Sequence, residues 1–235
     1  MQEPNGAKMQ ELWRRNQKFI AGGVFSLNRT IDPMRMFERA RGAYIWDVDG
    51  KRYIDYHAAF APYFLGHADP DVDQAVIAAV QHSSSLYGAG STAAEGELAE
   101  LLVSCVPTME QVQVTNTGSE ATSFAIRLAR AVTGRDGIIL MQGGYNGWQD
   151  DVAFNLMDPA EKQRSREAGD GLELNPITAG IPESVKSNVY VTQFNDLDAV
   201  EGLLASGKVA AIILEPILQN IGIVKPEPGY LEGLR

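Results

Sequence analysis

The chain has 235 residues, 45% of them hydrophobic and 21% charged, with 30 acidic against 20 basic residues and a formal charge of −10. That is a globular balance. It argues against a nucleic-acid partner, because phosphate backbones call for basic patches and the longest basic cluster here is Arg14-Arg15. No apolar run approaches the ~20 residues of a membrane span. Residues 1–18 are polar and lack a signal-peptide core. The only cysteine, Cys105, cannot form an intramolecular disulfide, so a soluble protein of a reducing, cytoplasmic compartment is expected.

In chain order, residues 11–20 read as an amphipathic helix that ends in a loop at Gly22-Gly23-Val24-Phe25-Ser26. Residues 43–47 and 52–56 flank Asp49-Gly50, a strong hairpin signal. Val72, Ala75, Val76, Ala79 and Val80 share one side of a predicted helix over 71–82. A further helix spans 95–106 and stops at Pro107, with Cys105 at core spacing from Leu98, Leu101 and Leu102. Beyond it the pattern becomes strand–helix alternation. Strands are expected over 111–115, 137–142, 188–192 and 209–215, and helices over 119–132 and 197–205, the latter capped by Asp196. The Ile212-Ile213-Leu214 run suggests a strand buried on both faces of a parallel sheet. Residues 154–187 form a long polar stretch with little periodicity, read as an excursion near a site. The fold class is therefore α/β.

Three motifs fall at predicted carboxyl edges of strands, where open α/β sheets gather ligands. In Thr115-Asn-Thr-Gly-Ser-Glu-Ala121, a turn through Gly118-Ser119 into a helix leaves backbone N–H groups aimed at one point, which suits a phosphate. A capped helix with no ligand fits the same residues. In Gly143-Gly144-Tyr145-Asn146-Gly147-Trp148, an aromatic ring held by glycines could stack on a flat ligand or simply cover apolar surface. Glu215-Pro216 offers a carboxylate that accepts from a ligand or caps a loop. Gly88-Ala-Gly90-Ser-Thr-Ala93 matches a relaxed dinucleotide fingerprint, but a helix is expected before it where that fingerprint needs a strand. His57, His67 and His82 lack metal-ligand spacing, so no metal is expected.

These motifs, in this order after the hairpin, resemble the class III, fold type I, pyridoxal-phosphate aminotransferases. The likeness runs from about Gly22 to Arg235, and Thr115 to Ala121 followed by Arg127-Leu-Ala-Arg130 carries it most specifically. Gly22-Gly23-Val24-Phe25-Ser26-Leu-Asn-Arg29 is similar to the substrate loop of glutamate-1-semialdehyde 2,1-aminomutase-like members. The resemblance implies the cofactor pyridoxal 5'-phosphate, with Gly118 and Ser119 on its phosphate and Tyr145 stacked on its ring. Asn146 would follow that ring in the loop, and Glu215 would lie near the ring substituents. It implies Ser26 and Arg29 facing the substrate, Arg29 pairing a carboxylate. Asn146 stands where the family usually carries His, and Leu27-Asn28 depart from the aminomutase residues.

The resemblance also implies a homodimer, with the 88–91 loop approaching the partner's phosphate region. Small-molecule amino donors and carbonyl acceptors are the expected substrates. Residues 1–66 would contribute to the small domain and the substrate loop, and 67–235 would form the first part of the large cofactor domain. The family's Schiff-base lysine and pyridinium carboxylate lie downstream of the Glu-Pro segment. None of Lys8, Lys18, Lys51, Lys162, Lys186, Lys208 and Lys225 matches that lysine. The expectation is an incomplete, N-terminal part of the fold, in which residues 111–115 lack both sheet neighbours. Such a chain is expected neither to fold stably nor to transfer amino groups alone. The alternative is a truncated, non-catalytic paralogue that binds cofactor or a subunit. A nucleotide-binding oxidoreductase would need a strand before Gly88.

Overall fold

The structure is a computed structural model that describes residues 6–82, 85, 87–159, 163–164 and 171–235. Lys162 and parts of the 154–187 stretch lie outside the described residues. The chain forms two compact units, Met1–Ala93 and Ala94–Arg235.

In the first unit, α1 (Ala7–Phe19) buries Met9 and Trp13. The Trp13 ring packs where a Cβ on Gly23 would stand, 2.4 Å from the ring edge, and Gly23 has φ +79°. Only glycine satisfies both conditions. An antiparallel sheet follows, ordered β1 (Phe37–Arg41), β2 (Tyr44–Asp47), β3 (Arg52–Ile54). The β2–β3 hairpin turns through Asp49-Gly50 as expected. The buried Asp47 fixes the turn by accepting from Asp49 N–H (3.1 Å), Lys51 N–H (2.8 Å) and the Tyr53 hydroxyl (2.7 Å). Burial raises the Asp47 pKa, but these three donors outweigh it and hold the carboxyl below its usual range. The β1 strand was not expected, since Phe-Glu-Arg-Ala-Arg shows no apolar alternation. The Asp69 carboxylate caps α2 (Pro70–Gln81) by accepting from Asp71 and Val72 N–H groups.

In the second unit, β4 (Gly137–Met141), β5 (Val189–Thr192) and β6 (Val209–Ile213) form a parallel sheet ordered β5-β4-β6. Alternate residues of the strands feed two cores. Ile138, Leu140, Val189 and Val191 pack with Ile126 of α4 (Gly118–Thr133) and with Val152, Phe154 and Leu172. Ile139, Met141, Tyr190 and Val209 pack with Val200 and Leu203 of α6 (Leu197–Leu204) and with Leu218. The result is a sheet sandwiched between helical and loop layers. Asp196 caps α6 as expected, accepting from Ala199 N–H at 2.9 Å. Short helices α5 (Glu183–Lys186) and α7 (Tyr230–Leu234) complete the unit with α3 (Ala93–Cys105).

Three expectations need correction. Residues 111–115 form no strand, because no described strand lies beside them to complete a ladder. The fully buried strands are β4 and β5, whereas the residues of β6 past Val209 are only half-buried. Cys105 is exposed, because α3 buries none of its residues among the described ones. The 154–187 stretch, read as a polar excursion, also sends Phe154 and Leu172 into the core, and Leu172 N–H donates to Val191 C=O at 2.7 Å.

Candidate functional site

The start of α4 is built by reciprocal capping. Thr117 Oγ1 accepts from Glu120 N–H at 3.2 Å, while Glu120 Oε2 accepts from Asn116 N–H at 2.8 Å. These bonds satisfy the Glu120 N–H of the first turn and the Asn116 N–H ahead of the helix. Among the described residues nothing accepts from the N–H of Gly118 or of Ser119. A Cβ placed on Gly118 would meet nothing within 4 Å. Two N–H groups at a helix start are therefore unaccepted, with open space beside the Gly118 Cα.

The loop after β4 is laced to this helix start. Ser119 Oγ accepts from Trp148 N–H at 3.2 Å, which leaves its own hydrogen available for a further acceptor. Thr122 Oγ1 donates to Asn146 C=O at 2.8 Å. Gly147 has φ +120°, and a Cβ there would lie 2.7 Å from Ser119 Oγ, so no other residue fits that close approach. Arg130 makes a two-pronged ion pair with Asp151 (2.7 and 3.3 Å) and donates to Asp136 C=O, fastening the helix to the far end of the loop. Arg130 stands out in the sequence only as part of a motif; its place in the structure is this brace.

The third element comes from β6. Because β4 and β6 run parallel in close register, their carboxyl ends emerge side by side. Glu215 Oε1 accepts from Tyr145 N–H at 2.9 Å and its Oε2 accepts from Gln219 N–H at 3.1 Å. The carboxylate is thus a strut between two edge loops. Gly118, Ser119, Tyr145, Asn146 and Glu215 are brought together in one constellation, and the Tyr145 side keeps 39% of its surface exposed. Ser26 and Arg29 belong to the other unit, where Ser26 C=O accepts from Arg29 N–H at 3.0 Å in a single 3-10 turn. Among the described residues the element before Gly88 is α2, and no strand directly precedes the dinucleotide fingerprint there.

Asn220, on the loop after β6, was not singled out in the sequence, and among the described residues its buried Nδ2 has no hydrogen-bond partner. A buried amide donor with no acceptor is rare. Its position five residues past Glu215, on a carboxyl-edge loop, was the available signal. Two unaccepted backbone N–H groups, a hydroxyl hydrogen and a partly exposed aromatic residue suit a phosphate-bearing aromatic ring. Among the described residues no cluster of His, Cys, Asp and Glu could hold a metal ion, and no helix is long and apolar enough to cross a membrane.

The family model for aminotransferase class-III matches residues 26–235. The chain belongs to the class-III aminotransferase family. It is 43% identical over 227 residues to a glutamate-1-semialdehyde 2,1-aminomutase of Chloroflexus aurantiacus, covering 93% of this chain and 48% of that protein. Among solved structures, an omega-transaminase from Sphaerobacter thermophilus superposes with a TM-score of 0.88 at 33% identity, over 98% of this chain and 52% of the other. A transaminase solved with PLP bound superposes with a TM-score of 0.86 at 30% identity, over 97% and 51%. The chain spans about half the length of the relatives it matches. Family membership favours the aminotransferase reading over a non-catalytic paralogue and over an oxidoreductase.

Proposed function

We propose that this chain is the N-terminal part of a pyridoxal-phosphate enzyme that moves an amino group between an amino acid or amine and a carbonyl compound, by transamination or as an aminomutase. The observation that carries the reading is the pair of unaccepted N–H groups of Gly118 and Ser119, with open space beside Gly118 and the Tyr145 loop laced to Ser119. Those groups and the Ser119 hydroxyl would hold the cofactor phosphate. The Tyr145 ring would stack on the pyridine ring and exclude water from one face. The orphaned Asn220 Nδ2 would donate to an oxygen on that ring, and Glu215 would hold Tyr145 at its edge. Asn146 follows Tyr145 in the same loop and lies near the cofactor in this reading. When bound, pyridoxal phosphate supplies an electrophilic aldehyde and a ring that withdraws electrons from the nitrogen-bearing carbon.

Arg29 would orient a substrate carboxylate through paired hydrogen bonds, with Ser26 beside it. Residues 1–66 would join the small domain and 67–235 the large one. The working enzyme would be a homodimer in which the 88–91 loop reaches the partner's phosphate region. The single cysteine suits a reducing, cytoplasmic compartment. No lysine of these 235 residues matches the position that carries the cofactor in the family, so the chain alone would not turn over.

Equilibrium dialysis against pyridoxal phosphate, paired with an amino-transfer assay on an amino acid and a 2-oxo acid, tests both parts. The wild-type chain should retain the cofactor saturably, and Gly118→Asp, which sets a carboxylate where the phosphate would sit, should not. Amino transfer should not exceed that of pyridoxal phosphate alone. Equal retention by the two chains would remove the proposed phosphate site. Transfer above the control would contradict the inactivity of the isolated chain.

A further inference from the structure

Asn155 is fully buried and takes φ +53°, a left-handed conformation that asparagine adopts more readily than most residues. All of its polar groups are used. Its Nδ2 donates to Gln142 Oε1 and to Glu173 C=O, both at 2.9 Å, and its Oδ1 accepts from Asn175 N–H at 2.9 Å. Its own N–H donates to Asn175 C=O at 2.9 Å. Its carbonyl accepts from Gly143 N–H at 2.8 Å and from Gln142 Nε2 at 3.2 Å. One residue thus joins Gln142, just past the end of β4, the first glycine of the Tyr145 loop and the returning 173–175 segment. Gly143 itself has φ +86° and stands two residues before Tyr145, where the chain changes from ladder to turn. A saturated buried network of this kind admits one arrangement of its members, because any rotation orphans several groups at once.

We infer that Asn155 is a positioning residue, which sets the exit angle of the Tyr145 loop and through it the place of the Tyr145 ring. The inference rests on the reading that this ring faces the cofactor. Its first test does not depend on that reading. Amide hydrogen exchange in the 235-residue chain is compared for wild type, Asn155→Ala and Gln142→Met, the second removing only the contacts of the Gln142 side chain. Exchange at 143–148 should rise about tenfold or more in Asn155→Ala, the scale of losing buried hydrogen bonds, and less in Gln142→Met. The β5 and β6 amides should keep wild-type rates. Unchanged rates at 143–148, or an equal rise throughout the sheet in both variants, would overturn the proposal and make Asn155 a core support only. The second test is retention of pyridoxal phosphate by dialysis, which should weaken in Asn155→Ala. If exchange at 143–148 rises as expected but wild type retains no cofactor, the positioning role stands and the cofactor reading falls. If wild type retains the cofactor and Asn155→Ala retains it equally despite the loosened loop, Asn155 does not position the ring.

Discussion

Every residue of β4 and β5 is buried, whereas no described residue from Pro70 to Gly118 is. The contrast is not one of composition. α2 carries Val72, Val76, Ile77 and Val80 at helical spacing, yet these are 49–71% exposed. α3 carries Leu98 and Leu101, 45% and 60% exposed, while Ile138 and Val189 across the central sheet are fully covered. Periodicity dictates which face of an element is apolar; burial also requires a second surface. The sheet has that surface in Ile126, Val152 and Phe154 on one side and Val200 and Leu203 on the other. The 70–117 stretch has none among the described residues, and the relatives are about twice as long as this chain.

Truncations at matched leucines would sharpen this contrast most. Leu140→Ala, in the core, should cost about 2–5 kcal/mol through lost burial and the cavity left behind. Leu101→Ala on α3 should change stability by no more than about 0.5 kcal/mol. Urea unfolding followed by circular dichroism measures both, and equal losses would mean that α3 is covered in solution. Next in size is Gly147→Ala, where φ +120° and the Ser119 contact add strain of about 1–3 kcal/mol. Its unfolding midpoint should fall, and the Trp148 fluorescence should change because the loop must move off Ser119.

Thr117→Ala removes the α4 cap and should cost about 1 kcal/mol. Its helical signal should fall with no change in the β4–β5 pairing seen by hydrogen exchange. The smallest effect at neutral pH concerns acid response in the first unit. The His67 ring, 2.6 Å from Asp55, lowers the Asp55 pKa, and N–H donors from His57 and Ala58 add to the effect. A folded pKa below the ordinary 3.8 means that the unfolded chain binds the proton first. The stabilisation is therefore present above pH 3.8 and lost as the pH falls through the lower folded value. Asp55→Asn should flatten the acid limb of the unfolding midpoint plotted against pH without abolishing it, because Asp47 is also held below its usual range; an unchanged limb would show that Asp55 contributes nothing to it.

Much of this was legible in the sequence for identifiable reasons. Helices announced themselves through period and caps, as at Asp196, and the β2–β3 hairpin through Asp49-Gly50. Tyr145, Asn146 and Glu215 sit on carboxyl-edge turns, which strand–helix alternation locates, whereas Gly118 and Ser119 sit at a helix start marked by its capping residues rather than by a strand. What escaped was set by partners distant in sequence. β1 has a charged sequence and is defined by pairing with β2. The exposure of Cys105 depends on a surface that α3 does not meet. Gly147 reads as a turn residue until its approach to Ser119 is seen. Asn155 and Asn220 carry no periodic signal, because one is defined by a network spanning residues 142–175 and the other by the lack of a partner.

The central claim is that the start of α4 is a phosphate cradle, and an NMR titration tests it most directly. Pyridoxal phosphate and pyridoxal are added separately to the isotope-labelled chain while the Gly118 and Ser119 amide resonances are followed. The account predicts saturable shifts of both amides with pyridoxal phosphate and none of comparable size with pyridoxal. Equal shifts with the two compounds, or shifts confined to other residues, would contradict it.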